Sequence, residues 1–147
     1  MIDPMQLMRI SEHPIAISDN LIIYDDMEHG TMRIYEKTGD GPITVQQFVS
    51  ESMNIKNAVP IAQIIISSLW KDEGVFIHKV LCEFGYENLV EPMINQVLNY
   101  ATFYNQFEVV GISDREHERW FFHAPILKNF QKNNRVYEYW IDRKGTE

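Results

Sequence analysis

The sequence has 147 residues, 45% hydrophobic and 12% aromatic, which suits one domain over residues 1–147 and supplies enough apolar side chain to exclude disorder of the whole chain. Acidic residues outnumber basic ones 21 to 13, for a net charge of −8, and no Lys/Arg-rich stripe is present to neutralise a phosphate backbone, so nucleic acid is not an expected partner. Cys82 is the only cysteine, which excludes an internal disulfide framework or a thiolate zinc cage, and no apolar run approaches the ~18 residues of a membrane span, so a soluble, cytoplasmic protein is expected.

In chain order, the first elements are two short β-branched and aromatic runs, Leu21-Ile22-Ile23-Tyr24 and Thr31-Met32-Arg33-Ile34-Tyr35. Asp25-Asp26-Met27-Glu28-His29-Gly30 joins them as a polar loop, which makes a strand, loop, strand unit. The turn formers of residues 38–42 follow. Thr44 then caps a predicted helix over 45–53 that carries Val45, Phe48, Val49 and Met53 on one face. Residues 61–70 are a continuous apolar run that periodicity cannot assign, but four Ile in six positions, Pro60 at the entrance and a Lys71-Asp72-Glu73-Gly74 turn into Val75-Phe76-Ile77 favour an antiparallel hairpin. Leu89, Met93, Ile94, Val97, Leu98 and Ala101 fall at helical spacing and predict a helix through Asn105, with Pro92 tolerated in its first turn. A strand over 107–112, an aromatic-rich helix or helical turn over 114–129 and an alternating strand over 135–141 complete the chain. The fold class read from this order is α+β, a mixed and largely antiparallel sheet.

From residue 60 to 141 this order resembles the carboxy-terminal half of the GNAT superfamily of N-acetyltransferases, and the 21 residues from Val80 to Ala101 match the family's spacing between a strand valine and a small residue late in the helix. The resemblance implies helices on both faces of the sheet and acetyl-CoA as cosubstrate, with no metal. Its pyrophosphate would sit on backbone N–H groups at a helix N-terminus, where the helix dipole favours an anion and small residues let it approach. The positions so implied are Leu81, Cys82, Glu83, Asn88, Leu89 and Val90. Where the family carries Gln/Arg-x-x-Gly-x-Gly/Ala, this chain reads Gly85-Tyr86-Glu87-Asn88-Leu89-Val90, and the helix after the fifth strand, where some members place a general-acid tyrosine, reads Arg119-Trp120-Phe121-Phe122-His123-Ala124. In these losses the chain is similar to virus-encoded proteins that keep the fold as virion components.

Glu83, at the end of the implied fourth strand, is the candidate general base, and His123, whose imidazole could give or take a proton, the candidate acid or base in place of the tyrosine. Each also reads as an ordinary polar residue, and the orientation of His78 on its strand is open. Asp25, Asp26, Glu28 and His29 form the densest metal-capable group, but their spacing matches no calcium or zinc signature and reads as a polar loop. Glu116-His117-Glu118 reads as a solvated helix face and Cys82 as packing.

Two functions stay open. One is a diverged acyl-CoA N-acyltransferase acting on an amine or lysine-bearing peptide, which the excess negative charge would steer. The other is a non-catalytic binding or structural protein working through its late aromatics and its last strand, as a homodimer or with a protein partner.

Overall fold

A computed structural model describes residues 15–16, 21–39, 57–70, 73–104 and 107–141. The predicted helix over 45–53 lies outside them. Ten elements are described: β1 (Ile15–Ala16), β2 (Leu21–Asp26), β3 (Thr31–Lys37), β4 (Ala58–Trp70), β5 (Gly74–Cys82), α1 (Val90–Asn99), β6 (Val109–Ser113), α2 (Asp114–Trp120), β7 (Gln131–Asn133) and β8 (Val136–Trp140). They build an α+β fold on one mixed sheet in the order β1-β2-β3-β4-β5-β6-β8-β7, antiparallel except where β5 runs beside β6.

The first hairpin forms as its residues dictate. Alternation puts Ile23 on one face and Ile22 and Tyr24 on the other, all buried. A 3-10 turn over Met27–His29 and Gly30 at φ +90° return the chain into β3. Only glycine fits there: a Cβ would lie 2.8 Å from the Ile66 carbonyl oxygen, while the Gly30 carbonyl accepts the Ile66 N–H at 2.9 Å.

The run at 61–70 is a strand, as its isoleucine density predicts, but β4 starts earlier, at Ala58, and so takes Pro60 inside the sheet. Proline cannot donate to a ladder, and the register with β3 shifts there, from Ile34 opposite Ala62 to Tyr35 opposite Pro60. The apolar stripe of α1 and the turns around it (Leu89, Met93, Ile94, Val97) packs on Ile34, Ile64, Ile77 and Val80 of the sheet. Trp120, Leu127 and Phe130 extend the same core, so both described helices cover one face.

Three boundaries differ from the sequence reading. The helix predicted through Asn105 is α-helical only to Asn99 and continues as a π-helical turn over Tyr100–Tyr104. The stretch 114–129 is not one helix: α2 stops at Trp120, Ala124 leaves the helical region (φ −135°, ψ 85°) before Pro125, and a 3-10 turn over Pro125–Asn129 follows. Finally, Asn134, at φ +62°, turns the chain between β7 and β8, and β7 was not anticipated.

Candidate functional site

Beside β6, β5 is paired over four residues, from Gly74 opposite Val109 to Ile77 opposite Ile112. β6 then ends at Ser113, whose hydroxyl accepts the Glu116 N–H at 3.3 Å and starts α2, while β5 runs on to Cys82 along β4 alone. The Glu83 N–H donates to the Ile61 carbonyl at 2.8 Å, so Ile61 and Glu83 are a hydrogen-bonded pair of the antiparallel ladder. By alternation Gln63 and Leu81 are the next such pair, and the peptide groups of Val80 and Cys82 point away from β4, into the gap that β6 leaves. Val80 is wholly buried, Cys82 half-buried, and Glu83 and Phe84 exposed.

The turn from β5 into α1 closes on itself. Gly85, at φ +95°, donates its N–H to a carboxylate oxygen of Glu87 at 2.6 Å. The Tyr86 N–H goes to the Glu83 carbonyl at 3.1 Å, the Leu89 N–H to the Tyr86 carbonyl at 2.9 Å, and the Val90 N–H to the Glu87 carbonyl. Leu89 and Val90 are core side chains, and Asn88 is exposed. Glu91, in the first turn of α1, accepts the Ile126 N–H at 2.8 Å and ties the 3-10 turn to the helix. Two of the chain's own carboxylates thus stand at the positive end of α1, and the Glu83, Gly85, Tyr86, Leu89 and Val90 N–H groups already have partners. These residues do not fit that group as they stand.

Cys82 packs at the end of β5 with its Sγ 3.6 Å from the Glu83 carbonyl oxygen. Burial pushes its thiol up to about 11, with Glu87 and Glu83 adding to the rise against the nearby Arg119 guanidinium. At neutral pH it is a thiol, not a nucleophilic thiolate.

Glu83 and His123 are both exposed, and no hydrogen bond joins them among the described residues. The His123 N–H caps the Trp120 carbonyl at 3.0 Å, and its ring meets the Trp120 ring edge-on at 6.2 Å. His78 is resolved as a surface residue, 2.8 Å from the Ser67 hydroxyl and edge-on to Phe76 at 5.1 Å.

Two residues read as a solvated face are buried instead. Glu116 accepts the Trp120 indole N–H at 3.0 Å, and His117 lies 2.9 Å from the Leu127 carbonyl oxygen and stacks on the Tyr137 ring at 3.5 Å. The α2 face they occupy packs against β8 because that strand lies beside β6 in the sheet, a long-range pairing no local pattern reveals. Sequence reasoning also missed Asp25 as an inward residue: it meets Gln96 of α1, while Asp26 turns outward to His29 at 2.7 Å. Among the described residues no three metal-capable side chains converge, and no helix is long and apolar enough to cross a membrane.

The most exposed aromatics of the described residues stand just after β5 and just after α2. Phe84, just after β5, is 97% exposed and Phe122, just after α2, is 87% exposed. In the sequence Glu83 and Glu87 lie within three residues of the first, and Arg119 and His123 within three of the second. No protein-family model matches the chain, and comparison with curated proteins and with solved structures gives no significant match.

Proposed function

We propose that this chain is a GNAT-like scaffold that works as a protein-binding module, with Phe84 and Phe122 as anchors at the mouth of the gap between β5 and β6. The observation that carries this reading is the Glu87 carboxylate on the Gly85 N–H at 2.6 Å: the turn that would receive a phosphate holds a carboxylate of its own. Exposed aromatic anchors supply affinity by desolvation, and the carboxylates Glu83 and Glu87 beside Phe84 favour a basic segment. A lysine-rich peptide with leucine anchors is the probe. It is expected to bind the wild-type chain and to lose about tenfold in affinity, ~1.4 kcal/mol, on Phe84→Ala. Equal affinity for both chains would contradict the assignment of the mouth.

A second reading, a diverged acyltransferase taking acetyl-CoA and an amine with Glu83 and His123 as its proton-handling groups, is favoured by one feature. The peptide groups of Val80 and Cys82 face the gap beyond the last β5–β6 pair. Calorimetric titration with acetyl-CoA separates the two: the binding-module reading expects no heat and no thermal protection at millimolar ligand, and saturable binding would favour the enzyme. In that event unchanged turnover in both Glu83→Gln and His123→Ala would remove their roles.

A further inference from the structure

Asp25 lies near the end of β2 with its side chain on the α1 side of the sheet, 8% exposed. Its Oδ1 accepts the Met27 N–H at 3.1 Å, and its Oδ2 accepts an N–H of the Gln96 carboxamide at 2.8 Å. Gln96 sits on the buried face of α1, 2% exposed, and its own Oε1 is buried with no hydrogen-bond partner. Among the described residues no cation faces this pair. From its own strand and turn the neighbouring charges are Asp26 and Glu28, both acidic, and His29 is engaged by Asp26. From β3 the residue opposite is Met32, and the adjacent Arg33 lies on the other face of the sheet, its guanidinium over the Tyr24 ring at 5.0 Å. From α1 the facing group is the neutral Gln96.

A buried carboxylate with amide donors but no counter-ion is costly, and taking up a proton is the ordinary relief. The new O–H then needs an acceptor. The buried acceptor beside it that lacks a donor is Gln96 Oε1, which a half-turn of the carboxamide brings to the place its N–H2 now holds. We infer that Asp25 and Gln96 form a proton-operated latch between β2 and α1. In the ionised state the Gln96 N–H donates to Asp25 Oδ2; in the protonated state the Asp25 O–H donates to Gln96 Oε1 and the charge between strand and helix is gone. One proton moves from solvent to Oδ2, and the Gln96 carboxamide turns over, exchanging its N–H···Oδ2 hydrogen bond for the O–H···Oε1 one; no other covalent bond forms or breaks. Acid therefore seats α1 more firmly on the sheet, and neutral pH loosens it. The latch is independent of what docks at the mouth of the gap.

Burial raises the Asp25 carboxyl to about 6, against the hydrogen bonds from Met27 and Gln96 and with Asp26 and Glu28 adding to the rise, so the latch works in the mildly acidic range. The test is an NMR titration of the full chain from pH 4 to 8, following the Asp25 carboxyl carbon and the Gln96 side-chain amide together. The expected result is an Asp25 midpoint near pH 6, a Gln96 amide that shifts with the same midpoint, and a Gln96 amide independent of pH in Asp25→Asn. An Asp25 midpoint in the usual carboxylic-acid range overturns the latch. So does a Gln96 amide that stays still while Asp25 titrates.

Discussion

At the scale of single residues, Asp25 sets a measurable pH dependence. Its carboxyl is raised from 3.8 to about 6, so between those values the folded chain holds a proton that the unfolded chain has released. Stability from this group is therefore full below pH 3.8, falls as pH rises toward 6, and levels off beyond, a loss of about 3 kcal/mol at most. Asp25→Asn, whose amide can donate to Gln96 Oε1, is expected to raise the denaturant midpoint at pH 8 and to leave it nearly unchanged at pH 4. Glycine positions offer a second contrast. Both Gly30 and Gly85 have positive φ, but a Cβ at Gly30 meets the Ile66 carbonyl oxygen at 2.8 Å, whereas one at Gly85 meets nothing within 4 Å. Gly85→Ala is expected to cost about 1 kcal/mol and Gly30→Ala at least twice that, by chemical denaturation. Cys82, held as a thiol by burial, is expected to react with an exchange reagent many times more slowly at pH 7 than a free thiol does.

Among the elements, α2 depends on its cap. Ser113 lies at the junction where β6 stops and its hydroxyl accepts the Glu116 N–H, so Ser113→Ala is expected to cost about 1 kcal/mol, read as a lowered unfolding midpoint. What was legible in the sequence followed local rules. The isoleucines of 61–66 marked a strand, the turn at 71–74 marked its hairpin, and the spacing from Leu89 to Leu98 marked α1. What was not legible needed partners far away in the chain. Residues 71 positions apart bring Asp25 to Gln96, and the β6–β8 pairing gives His117 its stacking partner Tyr137. The break before Pro125 had a local signal, since the residue before proline avoids the helical region, but the aromatic-rich reading of 114–129 ran through it.

For the whole molecule, the β5–β6 ladder stops after four pairs, at Ile112, and α2 begins two residues later, so β5 runs on along β4 alone into the turn that enters α1. That turn carries the exposed Phe84 beside amides already in use, and the functional reading rests on the occupancy. An amide that already donates to a carboxylate at 2.6 Å has no need of a phosphate. The most direct measurement is an amide proton–nitrogen correlation spectrum of the chain recorded with and without acetyl-CoA at millimolar concentration. The Gly85 amide is expected to be shifted downfield by its carboxylate partner and, along with those of Leu89 and Val90, to be unmoved by the ligand. Saturable shifts of these three amides together would contradict that reading.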